Sequence, residues 1–199
     1  MPSLPTGPHI VLASASPRRL ELLQQIGIRA LVHPVDIDES PLSRESPVDL
    51  ALRLALEKAR CCRGDMMQQG TELPVLGSDT VVDIDGEVLG KPADAEQAVA
   101  MLTKLSGKTH DVHTAVAVIC ADEEFSTIST SQVEFAALSV RVIQAYVGTG
   151  EPMDKAGAYA IQGIASQFIK SLQGSYSGVM GLPLFETASL LALCDIKTL

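Results

Sequence analysis

Four short stretches hold the side chains best suited to act on a phosphate. Arg18 and Arg19 follow Ser14-Ala15-Ser16-Pro17, Asp79 follows the apolar run Val75-Leu76-Gly77-Ser78, Lys91 stands between Gly90 and Pro92, and Asp38-Glu39 lie in an acidic loop. Small hydroxyls, free backbone amides and guanidinium forks at a helix start suit an anion. Arginine there opposes the helix dipole, which favours an acid, so the two arginines call for another partner. Asp38, Glu39 and Asp79 could share a hard divalent cation, because Mg²⁺ takes carboxylate oxygens and keeps several waters. Cations on phosphate oxygens, a metal and a carboxylate that positions water are the parts of phosphoryl chemistry. Each part has an ordinary counterpart. The first stretch also suits a plain strand–helix junction with surface arginines, an Asp after a strand is commonly a turn or cap residue, and the letters alone leave both readings open.

The elements that must position these groups alternate. His9 to Ala13 reads as a buried strand. Ser16 is placed as an N-cap and Pro17 opens a helix whose apolar face is Leu20, Leu23 and Ile26, with Gly27 at its end. Ala30 to His33 is a second strand. Ser46-Pro47-Val48-Asp49 starts a helix expected to reach about Arg63, with Lys58 about one residue off its apolar stripe, and Gly64 to Pro74 reads as a linker. Asp85-Gly86 between alternating residues signals a hairpin. Asp94 caps a helix through Leu105, the two segments after Gly107 read as paired strands, and helices are expected over 138–147 and 184–193. This order predicts an α/β fold with a mixed central sheet flanked by helices. In such sheets ligands sit outside the carboxyl ends of the strands, where Ser14–Arg19, Ser78–Thr80 and Lys91 fall.

Composition narrows the function classes. The chain has 199 residues, 46% hydrophobic and 20% charged, which suits one sizeable globular core. Residues 1–8 read as a loose tail and 9–199 as a single domain. No apolar run matches a membrane span, and a net charge of −9 argues against nucleic-acid binding. Cys61, Cys62, Cys120 and Cys194 lack metal-ligand spacing and are read as free cytoplasmic thiols. No Walker loop, no G-x-G-x-x-G and no G-x-S-x-G elbow is present. His110 and His113 read as structural or exposed, since no nucleophile stands near them in sequence.

Taken together, Ala13-Ser14-Ala15-Ser16-Pro17-Arg18-Arg19, Glu57-Lys58-Ala59, Gly77-Ser78-Asp79-Thr80-Val81-Val82, Gly90-Lys91-Pro92, Leu105-Ser106-Gly107, Asp154-Lys155-Ala156-Gly157-Ala158-Tyr159 and Ile161-Gln162-Gly163 resemble the Maf-like nucleoside triphosphate pyrophosphatases, in the same order from about His9 to Leu193. The resemblance implies cleavage of a nucleoside triphosphate to the monophosphate and pyrophosphate, two lobes with the site between them, a divalent metal (Mg²⁺ or Mn²⁺), a cytoplasmic setting and a homodimer. It places the proton acceptor on Asp79, metal binding on Asp79 and Glu39, and substrate contacts on Ser14, Arg18, Arg19, Lys58, Thr80, Lys91 and Gln162. The segments Asp154–Gly163, Gly174-Ser175-Tyr176 and Gly181-Leu182-Pro183 resemble the branch acting on dTTP and UTP. A glutamine amide both donates and accepts, which suits the O, N–H, O edge of thymine and uracil; modified pyrimidine nucleotides share that edge. Ala160 stands where the family commonly has glycine, so a backbone needing positive φ there would shift the loop. The alternative from another class is a nucleotide-binding regulator of cell division or septum formation that turns nothing over.

Overall fold

The run V-L-G-S-D-T-V-V-D-I forms one long strand, β3 (Val75–Ile84), and the sheet is assembled around it. The structure is a computed structural model and describes residues 7–198; most of the expected tail, residues 1–6, lies outside the described residues, as does residue 199. One edge of β3 pairs in parallel with β1 (Ile10–Leu12), through Val11–Val75 and Leu12–Leu76. β1 in turn pairs in parallel with β2 (Ala30–Val32). Further along, the same edge of β3 pairs antiparallel with β4 (Glu87–Leu89), from Val82–Leu89 to Ile84–Glu87. The turn between them is the expected Asp85-Gly86 pair, both at positive φ (55° and 83°), as a two-residue hairpin requires.

Between β1 and β4, residues 77–81 of β3 have no strand partner on that edge. Their other edge is fully paired, antiparallel, with β5 (Thr109–Cys120), which continues to β6 (Glu123–Phe135) and β7 (Ile169–Gln173). The order is β2-β1-β3-β5-β6-β7 with β4 beside β3. The expected mixed sheet is therefore present, and the cleft is the gap left in it, with one lobe on the β1 side and one on the β4 side.

Alternation along β3 sends Gly77, Asp79, Val81 and Asp83 to one face and Ser78, Thr80 and Val82 to the other. The first face is covered by α2 (Pro47–Gln68), begun as expected by Ser46, whose hydroxyl accepts the Asp49 amide at 3.1 Å. α2 lies so close that a Cβ at Gly77 would come within 2.3 Å of the Ala55 carbonyl oxygen, so only glycine fits. The helix runs five residues beyond the expected end. Gly64 to Gln68 are helical rather than linker, because Met66 is fully buried under the helix and holds that turn down. The opposite face carries two clusters. Near β1, α1 (Pro17–Gln25) and α6 (Leu184–Leu193) pack Leu22, Leu23, Leu190 and Leu191 on Leu76, Val116 and Val118. Near β4, α3 (Ala95–Leu105) and α4 (Val140–Val147) close over Val82, Ile84, Val112 and Phe135. Each fully buried Leu or Phe contributes roughly 1.5–3 kcal/mol, and these clusters hold the two rims of the gap apart. α5 (Tyr176–Met180) is a short helix begun by Ser175, whose hydroxyl accepts the Gly178 amide at 2.9 Å.

The cysteine reading needs correction. Cys61 and Cys62 are free, but Cys120 and Cys194 form a disulfide, with Cα atoms 5.9 Å apart across 74 residues of chain. It ties the end of β5 to the end of α6, a proximity that only the folded topology creates. Burial pushes the Cys62 thiol up to about 12, so it is not a reactive nucleophile.

Candidate functional site

The turn into α1 leaves its amides open. Ser16 has extended N-cap geometry, yet its side chain makes no capping bond; instead its amide donates to Ser14 Oγ at 3.2 Å. The first-turn amides of α1 therefore face the cleft uncapped, the condition for an anion site. The two arginines beside them do different work. Arg19 donates from Nε to the Gly181 carbonyl (2.8 Å), from Nη1 to Ser14 Oγ (3.0 Å) and from Nη2 to Thr80 Oγ1 (3.4 Å). It joins the α1 turn, β3 and the loop after α5. Gly181, at φ 118°, takes a conformation an L side chain rarely adopts, and its carbonyl also accepts from Ser78 Oγ at 3.1 Å. Burial lowers the Arg19 pKa from its usual value, against the opposing charge of Asp79. Arg18 instead reaches across the gap to Asp154, Nη1 to Oδ2 at 3.3 Å.

Below this turn, Lys58 joins two carboxylates. Its Nζ lies 2.6 Å from Asp79 Oδ1 and 2.5 Å from Glu39 Oε1. Lys58 does not lie beside the buried stripe of α2, as the periodicity suggests, but within it, with Leu54, Ala55, Ala59 and Cys62. A lysine is tolerated there because β3 brings Asp79, itself 7% exposed, under the helix. Burial works to raise the Glu39 pKa, but the hydrogen bond and charge of Lys58, helped by Lys91 and Arg19, hold it below the ordinary value. Two hard carboxylate oxygens thus converge on one point now taken by an ammonium, a donor set that fits Mg²⁺ or Mn²⁺. Asp38 does not join them. It is exposed and accepts the Ser40 amide at 2.9 Å, a local turn.

The far wall is built from short turns. Lys91 follows β4, and a run of 3-10 turns at Glu151–Asp154, Ala156–Ala158 and Ile164–Phe168 carries Asp154, Tyr159 and Gln162. Gln162 is exposed and, among the described residues, its amide makes no hydrogen bond. The positive φ in this loop falls on Gly157 (67°) and Ala158 (59°), not on Ala160, so alanine at 160 fits without strain. Behind it, Tyr159 OH and His110 Nε2 lie 2.9 Å apart in the core. Burial drives the His110 pKa down to about 4 and raises that of Tyr159. Both are structural, as is expected of His110, though neither His110 nor His113 is exposed.

Ser14, Arg18, Arg19, Glu39, Lys58, Asp79, Thr80, Lys91 and Gln162, named from sequence, all line one cleft of about 470 Å³, within the size range of small-ligand sites. Sequence reasoning gave no role to Asp154 or Tyr159, which line it too. Their motif was visible, but the Arg18–Asp154 bridge joins residues 136 positions apart.

Residues 9–194 match the profile of a family described as Maf-like protein. Over 188 residues, 94% of each chain, the sequence is 53% identical to a Methylobacillus flagellatus protein named dTTP/UTP pyrophosphatase. It is 50% identical to a Nitrosomonas europaea protein of the same name, over 94% of this chain and 95% of that one. A Haemophilus ducreyi protein named nucleoside triphosphate pyrophosphatase is 48% identical over 96% and 97%. Among solved structures, the Ham1 protein of Staphylococcus aureus aligns with 80% of this chain and 90% of its own at 15% identity, with a TM-score of 0.44, too distant to argue from.

Proposed function

The chain belongs to the Maf-like protein family, and from that premise we propose that its cleft hydrolyses dTTP and UTP to the monophosphate and pyrophosphate. The observation that carries the reading is the convergence of Lys58, Asp79 and Glu39 beneath an uncapped, arginine-bearing helix start. The triphosphate lies along the α1 turn, its charge met by the amides, Arg18, Lys58 and Lys91. Asp79 accepts the proton of a water directed at the α-phosphorus, and pyrophosphate leaves against the cations. Glu39 and Asp79 are the residues that would hold Mg²⁺ or Mn²⁺, which when bound supplies positive charge to phosphate oxygens and acidifies water. Arg19 holds Ser14 and Thr80 in place while spending three of its donors on the protein. Gln162 offers its free amide to the pyrimidine edge, where a wrong base leaves buried groups unpaired.

The test is a nucleotide panel with Mg²⁺ and a pyrophosphate readout. Release from dTTP and UTP well above that from CTP and purine triphosphates is expected. Binding of UTP without release would favour the division-regulator alternative. Activity on 5-methyl-UTP or pseudo-UTP equal to that on UTP would widen the substrate class. We read residues 9–199 as one catalytic unit, because a single sheet path runs through both lobes. The homodimer and the cytoplasmic setting rest on the family resemblance, since the thiol argument loses two of its four cysteines to a disulfide. No described helix is long and apolar enough to cross a membrane.

A further inference from the structure

The face of β3 that carries Asp79 carries another carboxylate four residues on. Asp83 stands directly opposite Asp111 in the β3–β5 ladder, and His113, two residues along β5, projects from the same face. Like charges set opposite each other across an antiparallel pair repel, and among the described residues no lysine or arginine forms an ion pair with either. Among the described residues Asp111 has no ion pair and no side-chain hydrogen bond. Asp83 has Oδ1 on the Gly86 amide at 2.8 Å, and its Oδ2 lies 3.8 Å from His113 Nε2. The hairpin turn therefore orients this carboxylate toward the imidazole.

His113 is the observation that separates this group from an ordinary acidic patch. It is only 6% exposed. Its Nδ1 lies 2.9 Å from Thr130 Oγ1 on β6, while Nε2 has no hydrogen bond among the described residues and faces the carboxylates. A hydrogen-bond partner on one ring nitrogen, with the other aimed into a carboxylate pair, is how proteins present a histidine ligand. One ligand atom from each of Asp83, Asp111 and His113 falls within 4.8 Å of the others.

We propose that Asp83, Asp111 and His113 form a binding site for a first-row divalent transition ion, separate from the Glu39–Asp79 pair. One imidazole nitrogen with two carboxylate oxygens suits Mn²⁺, Co²⁺ or Zn²⁺ rather than Mg²⁺, which prefers oxygen alone. With Nδ1–H donated to Thr130, the Nε2 lone pair is the one that binds the ion. Asp83 lies four residues from Asp79 along one strand, roughly 13 Å. Paired catalytic metals sit about 3.5–4 Å apart, so this ion is structural. It closes the β3–β4 turn onto β5 and fixes the base of the arm that ends in Gly90-Lys91.

The test is a titration of the full chain, without nucleotide, with Mn²⁺ alone, following free Mn²⁺ by electron paramagnetic resonance. The double variant E39Q/D79N removes the cleft carboxylates, and it is expected to keep one saturable Mn²⁺ per chain. Adding D111N or H113Q to that background is expected to weaken binding by at least about tenfold and to abolish the rise in Tm that Mn²⁺ produces. D111N alters a half-buried strand carboxylate rather than the buried ring, and keeps the test decisive if H113Q fails to fold. The site is refuted if E39Q/D79N binds no Mn²⁺, or if D111N holds the ion as tightly as its parent.

Discussion

The two walls of the cleft are made differently. The wall formed by α1, α2 and β3 is regular structure, and its charged groups are already bonded to the protein: Arg19 three times, Lys58 to two carboxylates. The wall at 154–162 is a chain of short turns, and Gln162 and Lys91 stand on that side without a hydrogen bond or ion pair among the described residues. A reacting phosphate needs groups fixed before it arrives, so that no reorganisation is left to the chemical step. A base edge needs groups with bonds still to make. Under the proposed function the contrast divides labour: proton transfer on the fixed wall, choice of base by Gln162 on the adaptable one, with Lys91 reaching from that side to the phosphates.

Several changes would break or sharpen that division. The largest effect is expected at Lys58. In Lys58→Met, Asp79 and Glu39 lose their shared cation, and stability should fall by about 3 kcal/mol, as when one partner of a buried pair is removed. Mg²⁺ or Mn²⁺ should restore part of the lost Tm, because an ion can occupy the same convergence of oxygens. A melt indifferent to metal would show that the two carboxylates do not form an ion site.

Next comes the support behind the adaptable wall. His110 is held neutral by burial, with a pKa of about 4 against 6.5 when free. The unfolded chain takes up this proton as pH drops below 6.5 and the folded chain does not, so stability falls between pH 6.5 and about 4 and is flat below. The full difference is about 3 kcal/mol. Urea melts of wild type and His110→Phe at pH 7 and 4.5 read it directly: the variant should lose that part of the slope.

Smaller changes act on specificity. Gln162→Ala should narrow the preference for UTP over CTP by about tenfold, through loss of one or two hydrogen bonds, with kcat for the best substrate little changed. An unaltered ranking would move base reading to another residue. Arg18 and Asp154 form a partly exposed bridge between the walls. Asp154→Asn should cost well under 1 kcal/mol in stability and raise KM modestly, an effect that shrinks in high salt.

What the letters disclosed follows the same boundary. The fixed wall was legible because its signals are local: Ser46-Pro47 begins α2, Asp85-Gly86 turns β3 into β4, and Pro17 opens α1. Eight of the nine cleft residues lie inside compact motifs, Glu39 standing instead in an acidic loop with little motif around it, and all nine line the cleft. The misses are relations between distant segments. Lys58 looked peripheral because helical periodicity cannot show an aspartate arriving from β3. The Cys120–Cys194 bond and the Asp83–Asp111–His113 group exist only through strand register and the return of α6. Gly64 looked like a linker because composition does not report that Met66 finds a buried place two residues later.

The fixed wall stands or falls with one side chain. Asp79→Asn keeps the shape and removes the proposed proton acceptor, so single-turnover measurement with UTP and Mg²⁺ should show pyrophosphate release slowed by roughly 10²–10⁴-fold while UTP binding persists. Release at close to the wild-type rate would contradict the assignment of Asp79 as the group that takes the proton.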